Sequence, residues 1–393
     1  MGIPQHTVTA IIAGSEIGEW STYNFEEALE LAGTFSMTIP FVREVWDLVK
    51  PDRTIQIAID GVPKLNGIID ERDMPEGEEV ITITGRDRSG RLVQDCAPGV
   101  SFAGQGIIDI TKKLVEPWGF TPTFTNERNR SITLGHGRKA KGHRKSTAGR
   151  FTGKTRTLRS SDDALRLNSR VGTQIEPGQT RGQVLMTLAA QAGYLIWPSC
   201  DGKEIIVGEP DYDQDIQFVF FMPKAGSARI DESSCTGMGV KDSTGDRYSR
   251  VIVVGAGSGT DANYGSSVAS RYGEARNNPD DPEGVGLDFA EPKRLILSRP
   301  AQSNADAQEL AQREMARRDA MGQVLTVRAA GHGQIYDGEI PTLFAPDTLA
   351  LCEDERTGTA GIYLITKCSF QSGRNGEETI LTLVKSGSEL TQL

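Results

Sequence analysis

Residues that could bind a phosphate lie in the middle of the chain, where residues 148–155 satisfy a loose phosphate-loop pattern. In such loops, glycines let backbone amides approach phosphate oxygens beside a lysine, here Lys154, which is followed by Thr155. A working phosphate loop follows a buried strand and opens a helix. Residues 135–147 are instead polar and basic, and residues 156–163 begin no apolar stripe. The sequence context therefore argues against a nucleotide site.

A second candidate is the alternation of Asp211, Asp213 and Asp215, which is similar to the start of a calcium-binding loop. That loop needs glycine at its sixth position and a bidentate glutamate at its twelfth. Ile216 and Met222 occupy those positions, so the calcium shell cannot close in the usual way. We interpret the segment as a solvated acidic turn.

The remaining candidate residues form no catalytic pattern. The four histidines, His6, His136, His143 and His332, show no spacing typical of zinc ligands. Residues 255–259 place a serine among glycines, but not at the position that a nucleophile elbow requires. We therefore expect no enzymatic activity, no cofactor and no metal site.

The strongest compositional anomaly is a basic segment, residues 128–159. It holds eleven of the 43 lysines and arginines and none of the 53 acidic residues, in a chain of net charge −10. Such a segment can contact nucleic acid, lipid head groups or an acidic partner, or it can be a solvated surface loop. Phe151 is its only aromatic residue, so it lacks a stacking platform for single strands, and we favour a partner contact. The candidate contact residues are Arg138, Lys139, Lys141, Arg144, Lys145, Arg150, Lys154 and Arg156.

Length and composition restrict the class of protein. A chain of 393 residues predicts two or three domains, and its 37% hydrophobic residues and 44 glycines predict a turn-rich β or α+β chain. No apolar run approaches membrane-spanning length, and the first residues match no signal peptide, so we expect a soluble protein made in a cytoplasm. The five scattered cysteines indicate neither a disulfide framework nor a zinc knuckle, and we interpret them as small buried apolar residues.

Two segments, residues 51–83 and 346–383, carry the same pattern of short strands. Both begin with Pro-Asp, and Gly67 in the first is matched by Gly361 in the second. Isoleucine, valine and leucine alternate with polar residues between turn residues, which predicts three half-buried antiparallel strands in each segment. We interpret the pair as a duplication, the alternative being chance similarity between two β-meanders.

These patterns predict an α+β fold dominated by antiparallel strands, in which two similar β-barrel-like domains flank smaller α+β regions. The first β domain covers residues 1–95. A middle α+β domain covers residues 96–210 and carries the basic insertion at 128–159. The second β domain covers residues 211–393 and contains an inserted α+β segment at about 290–335.

Helices and turns complete the prediction. Apolar periodicity predicts helices over residues 106–115 and 304–320, and over a segment that ends at residue 192, with Thr180 as its N-cap. Asp201-Gly202 predicts a tight hairpin turn. Glycine, asparagine, aspartate and proline dominate residues 255–286, which predicts a long surface loop.

Several motifs together resemble the Mu-like phage tail proteins, the baseplate hub family related to late control gene D proteins and to the N-terminal part of VgrG. The resemblance covers nearly the whole chain, with the basic segment as an apparent insertion. The motifs are residues 32–38 (AGTFSMT), residues 85–96 (GRDRSGRLVQDC), the Asp201-Gly202 hairpin, residues 246–255 (DRYSRVIVVG) and residues 294–297 (RLIL).

The resemblance implies a structural role without catalysis. Proteins of this family form homotrimers at the centre of a contractile tail's baseplate and join the hexameric tail tube to a trimeric spike. The implied partners are a second and third copy of the chain, the tail tube protein, the central spike protein, baseplate wedge proteins, the tape-measure protein and DNA passing through the lumen, without stable membrane insertion. The implied location is the virion tail baseplate, assembled in the host cytoplasm, and the alternative function is a nucleic-acid- or nucleotide-binding protein acting through residues 128–159.

Overall fold

The fold is described from a computed structural model. It covers residues 6–17, 20–99, 107–124, 175, 177–192, 194–212, 214–255, 271–278, 289, 291–298, 301, 303–335, 341–373 and 376–385. Antiparallel strands dominate, with few helices, so the predicted α+β fold class is confirmed. In the described part of the chain, no helix is both long and apolar enough to cross a membrane.

The chain begins with a β-rich part that we call the first β region. Its isoleucine-rich strands alternate buried and outward residues, as half-buried strands must. Its elements are β1 (Val8–Ile12), β2 (Ser15–Ile17), β3 (Thr22–Ala28), β4 (Thr34–Pro40), helix α1 (Arg43–Leu48), β5 (Thr54–Ile59), β6 (Val62–Asp73), β7 (Val80–Asp87) and helix α2 (Gly90–Gln94).

A smaller α+β part follows, which we call the middle region. Its elements are α3 (Ile107–Val115), a 3-10 helix (Glu116–Trp118), β8 (Thr121–Phe124), α4 (Arg181–Ala192), β9 (Leu195–Pro198) and β10 (Glu204–Gly208). Helices α3 and α4 pack over a three-stranded sheet of order β8-β10-β9, in which β8 runs parallel to β10. Gly202 adopts a positive φ of 66° in the turn between β9 and β10, as the predicted hairpin requires.

The rest of the chain contains the second β region and a small unit inserted into it. In the unit, a long helix packs over a three-stranded sheet. The second β region comprises β11 (Ile216–Met222), β12 (Gly237–Asp242), β16 (Gln323–Ala330), β19 (Thr348–Asp354), β20 (Thr359–Gly373) and β21 (Gly376–Lys385). Between these lie a 3-10 helix (Ile230–Glu232), the unit β13 (Arg250–Gly255), β14 (Arg271–Arg276), β15 (Arg294–Ser298) and α5 (Asn304–Gly322), and the short strands β17 (Gly333–Gln334) and β18 (Thr342–Leu343).

Both β regions belong to one continuous sheet. Its order is β12-β16-β21-β20-β3-β4-β7-β6-β5-β1-β2, and β11 and β19 branch from β20. The two regions meet where β3 pairs antiparallel with β20. Phe25 of β3 stacks on Phe370 of β20 with ring centroids 5.0 Å apart, so a single apolar core runs through both regions.

The two segments with similar sequences form similar three-stranded meanders, β5-β6-β7 and β19-β20-β21. Asp52 and Asp347 begin them with positive φ values of 68° and 60°. Their backbone N–H groups donate to the carbonyls of Ile69 (2.8 Å) and Ile365 (3.0 Å). In each meander the middle strand bulges directly after that isoleucine.

The residue-by-residue correspondence between the two meanders differs from the one that the sequence predicted. Gly67 lies opposite Ile55, and the corresponding pair in the second meander is Tyr363 with Ala350. Gly361 lies two residues earlier on its strand, so the match of Gly67 with Gly361 was wrong. A pattern of period two fixes which face a residue occupies, but a slip of two residues preserves that face, so the pattern cannot detect it.

The prediction of one long loop over residues 255–286 was also wrong. Residues Arg271–Arg276 form β14, which pairs antiparallel with β13 along its length. Position 273 of this strand requires a glycine, because a Cβ there would lie 2.1 Å from the backbone of Ala307 in α5. The glycine content that suggested a loop therefore permits close packing of a helix on a strand.

Candidate assembly interface

The residues predicted to bind polyanions or nucleotides lie outside the described residues. This applies to the whole basic segment and to Thr155 of the phosphate-loop pattern. Asp213 of the acidic segment is also outside the described residues. In the same segment, the backbone N–H of Asp211 donates to Asp347 Oδ1 at 2.9 Å. Among the described residues, no group of three or more His, Cys, Asp and Glu side chains could hold a metal ion. The contact residues outside the description are Arg138, Lys139, Lys141, Arg144, Lys145, Arg150, Lys154 and Arg156.

The motif at residues 85–96 forms a turn built around Asp87. The Asp87 carboxylate accepts hydrogen bonds from the backbone N–H (2.7 Å) and hydroxyl (2.5 Å) of Ser89 and from the N–H of Gly33. The Ser89 hydroxyl oxygen accepts from the N–H of Ala32 at 2.8 Å. Burial raises the pKa of Asp87 to about 6, against the lowering effect of these bonds. The motif thus fixes the exit of β7 against the start of β4.

The same motif attaches the first β region to the middle region. Arg88 donates to the carbonyls of Gly202 (3.3 Å) and Trp118 (2.9 Å), and its guanidinium lies 5.1 Å from the ring centroid of Phe120. Asp95 accepts from Trp118 Nε1 at 3.0 Å and from Arg181. These residues hold two regions together, which is a structural task.

A buried ion pair lies at the junction of the two β regions. Lys64 of β6 is 5% exposed, and its ammonium donates to Glu27 Oε2 at 3.2 Å and to the carbonyl of Phe344 at 2.7 Å. Burial raises the pKa of Glu27, and the positive charge of Lys64 opposes that rise. Lys64 and Glu27 both belong to the first region and Phe344 to the second, so the bond from Lys64 to the Phe344 carbonyl joins the two regions.

A buried histidine, His332, connects the regions a second time. Its Nδ1 lies 2.9 Å from Thr379 Oγ1, whose hydroxyl donates to the carbonyl of Gly331 at 2.7 Å. Nδ1 therefore carries the proton, and Nε2 accepts from the Tyr23 hydroxyl at 2.7 Å. Burial lowers the pKa of His332 to about 4, so the imidazole is neutral at pH 7.

His6 extends this cluster toward the surface. Its ring stacks on that of His332 at 5.5 Å, and its Nδ1 lies 2.7 Å from Asp60 Oδ2. Its backbone N–H donates to Glu377 Oε2 at 3.2 Å. Sequence reasoning missed this group because the two histidines lie at opposite ends of the chain, and no local spacing links them.

The edges of the long sheet differ in how they are covered. On β11, the outward N–H and C=O of Val219 bond to the side-chain amide of Gln334 at 3.1 and 2.8 Å. The N–H of Phe221 on the same edge donates to Ser234 Oγ at 2.8 Å. These side chains block strand addition to β11. β12 pairs with β16 on one side and, among the described strands, with none on the other.

The cysteines do not all match the prediction of buried apolar residues. Cys235, Cys352 and Cys368 are buried. Cys96 and Cys200 are exposed, so for them the prediction was wrong. Both lie in connecting segments, Cys96 just after α2 and Cys200 in the turn between β9 and β10, where composition alone gives no measure of burial.

No known protein-family profile and no curated protein matches the sequence. Solved structures do match. A tail protein from Neisseria meningitidis MC58 has a TM-score of 0.69 at 20% identity over 98% of each chain. The 43 kDa tail protein of prophage MuSo2 from Shewanella oneidensis has a TM-score of 0.66 at 16% identity over 97% of this chain and 98% of that one.

A more distant likeness is to an E. coli component of the type VI secretion system, described as structurally similar to the bacteriophage T4 tail proteins gp27 and gp5. The TM-score is 0.50 at 9% identity, over 97% of this chain and 77% of that one. At these identities the comparisons establish a shared fold. The fold extends over nearly the full length of this chain and of both tail proteins.

Proposed function

We propose that this chain is a structural baseplate hub protein of a contractile phage tail or tail-like particle. The observation that carries the proposal is the fold shared with two tail proteins from end to end, at TM-scores of 0.69 and 0.66. The motifs that resemble the Mu-like tail family support it, since the one at residues 85–96 holds two regions of the fold together. The proposed role involves neither catalysis nor a cofactor.

The repeated meander gives a physical reason for a ring. Residues 1–95 and 211–393, which we treat as two domains, each contain a meander with a bulge at the corresponding position. Three copies of the chain would present six similar units around one axis while keeping threefold symmetry. Such a homotrimer would match a hexameric tail tube on one side and a trimeric central spike on the other.

The proposed partners follow from this position in the particle. The tail tube and spike proteins would bind the two faces of the ring, and baseplate wedge proteins its rim. The tape-measure protein and DNA would pass through the lumen. We place the protein in the virion tail baseplate after assembly in the host cytoplasm, and we assign the basic segment at residues 128–159 to a contact with one of these partners.

Solution mass and particle composition test the proposal. Light scattering after size-exclusion chromatography should give a trimer of the 42.6 kDa chain, and negative-stain images should show a ring with a lumen. Mass spectrometry of purified tails should detect the chain. A monomer at micromolar concentration, together with absence from purified tails, would contradict the proposal.

A further inference from the structure

The correspondence between the two β regions extends beyond the meanders. Strands β12, β16, β21 and β20 follow one another in the same order as β3, β4, β7 and β6. Counting along the ladders from the shared bulge, Gly85 corresponds to Leu383 and Phe25 to Val240. By the same count, Glu71 after the first bulge corresponds to Lys367 after the second. Strand β12 is thus the counterpart of β3, and β6 that of β20.

Strand β20 uses one edge for two neighbours. It pairs with β19 as far as Ile365, and the same edge then pairs with β3 from Lys367 to Ser372. Its counterpart β6 pairs with β5 only as far as Ile68. In the described part of the chain, no strand pairs with the following edge at residues 71–73, although β6 continues to Asp73 along β7.

The molecule therefore carries both edges of such a joint, one at residues 71–73 of β6 and the other on β12. The edge of β6 at residues 71–73 corresponds to the part of β20 that holds β3, and β12 corresponds to β3 itself. We propose that β12 of one copy pairs antiparallel with residues 71–73 of a second copy, repeating between copies the β3·β20 joint within the chain. The inference rests on the proposed ring and identifies the strands that close it.

The internal joint predicts the register. There, Cys368 lies opposite Glu27 and Ser369 opposite Glu26. The corresponding pairs between copies are Arg72 with Asp242 and Asp73 with Lys241. Both pairs join opposite charges, which stabilise directly opposed positions on neighbouring strands.

The charges also oppose slippage. A shift of one residue in one direction places Arg72 opposite Lys241, and a shift in the other direction places Asp73 opposite Asp242. Each slip thus creates a like-charge pair, which is destabilising on opposed strand positions. Continuing the proposed register by one residue brings Met74, which is 46% exposed, opposite Val240.

The proposed strands are accessible. Asp73, Lys241 and Asp242 are exposed, and the Asp242 carboxylate makes only a 3.7 Å contact with Arg247 among the described ion pairs. The outward backbone of β11 is bonded to the side chains of Gln334 and Ser234. On β12, Arg356 donates to the carbonyl of Met238, and residues 240–242 have no such cover among the described hydrogen bonds. The chain therefore blocks the edge of β11 and leaves residues 240–242 of β12 open among the described contacts, as strand pairing with a second copy requires.

Cysteine cross-linking tests the pairing. Opposed positions on antiparallel strands bring Cβ atoms close enough for a disulfide. In a Cys96→Ser, Cys200→Ser background, mixing Asp73→Cys chains with Lys241→Cys chains and oxidising should give one cross-linked dimer. The chain with both cysteines should give a ladder ending at a trimer. Asp231→Cys paired with Asp73→Cys is the control and should give no product.

Charge exchange gives an independent readout. Asp73→Lys or Lys241→Asp alone should raise the concentration at which the trimer dissociates about tenfold or more, because each places like charges opposite one another. The double exchange should restore it, and Asp231→Lys should leave it unchanged. A trimer that neither cross-links nor responds to these exchanges overturns the pairing and leaves the proposed hub intact. A chain that stays monomeric at every concentration and is absent from purified tails overturns both.

Discussion

At the scale of single residues, the ionisation of His332 affects the contacts between the two β regions. Its neutral form donates to Thr379 and accepts from Tyr23, so a second ring proton would face the hydroxyl that now donates to it. The neighbouring ring of His6, stacked at 5.5 Å, would add repulsion if both were charged. Because these contacts join the two β regions, protonation of His332 weakens their junction.

We expect this histidine to make stability fall in acid. Its pKa is about 4 in the folded chain, below the ordinary 6.5, so the unfolded chain takes up the proton first as the pH falls. The stabilisation is complete above pH 6.5 and is lost between pH 6.5 and about 4. The shift corresponds to about 3 kcal/mol. Urea unfolding at a series of pH values measures it.

The matched variant is His332→Asn, which keeps a hydrogen-bonding group near Thr379 but cannot titrate in this range. Its free energy of unfolding should fall less than that of the wild type over this range, by about 3 kcal/mol. The contribution of Asp87, whose pKa is raised by burial and does not depend on His332, cancels in that difference. Parallel curves for the two proteins would show that His332 is not the group responsible.

Hydrogen bonds and ion pairs of side chains could be predicted from the sequence only where both partners are close together in the chain. The N-cap at Thr180 is confirmed, since its N–H donates to Gln183 Oε1 (2.9 Å) and its Oγ1 accepts from the N–H of Gln183 (3.2 Å). The cluster of His6 with His332 and the pair of Lys64 with Glu27 were not predicted. Their members come together only through strand pairing between distant segments.

At the scale of elements, the presence of individual helices and hairpins could be predicted from the sequence, but which distant strands pair could not. The helix predicted at residues 304–320 is confirmed as Asn304–Gly322, and the Asp201-Gly202 hairpin is confirmed between β9 and β10. Three parallel pairs, β8·β10, β11·β19 and β13·β15, had no signature, because an alternating pattern is the same for either strand direction. The placement of β3 beside β20 likewise depends on contacts between distant segments.

The buried pair of Lys64 with Glu27 lies beside the β3·β20 joint, and Lys64→Met tests how much it contributes to stability. The substitution removes the ammonium and leaves the Glu27 carboxylate, 16% exposed, without its counter-charge. We expect a loss of about 3 kcal/mol in the free energy of unfolding, because an uncompensated buried charge costs more than the pair contributes. Urea denaturation of the variant gives the value.

A second substitution separates charge from packing. Glu27→Gln removes the negative charge, so the double variant should regain most of the stability that Lys64→Met loses. The part that is not regained belongs to the bond from Lys64 to the carbonyl of Phe344. A double variant as unstable as Lys64→Met would mean that the charge pair does not couple the two side chains.

At the scale of the whole molecule, the prediction of two similar β units was informative for a physical reason. A meander needs a partner for each edge, and one sheet that runs through both units provides partners for most of them. Two of the edges that remain, at residues 71–73 and on β12, correspond to the two strands, β20 and β3, that pair with each other within the chain. The same repeat that builds the sheet within one chain can therefore continue it into the next copy.

Charge distribution over the whole molecule leads to the last prediction. The chain has a net charge of −10, and residues 128–159 concentrate eleven cations without an anion. If this segment contacts a polyanion, binding of a short DNA duplex should weaken about 1,000-fold or more between 50 and 200 mM salt, because each neutralised phosphate releases counterions. Changing the eight candidate lysines and arginines to glutamine should abolish binding and leave the trimer intact. Changing Lys50, Lys203 and Lys224 to glutamine is the control and should preserve binding, and equal binding by the eightfold variant would assign the segment to a solvated surface.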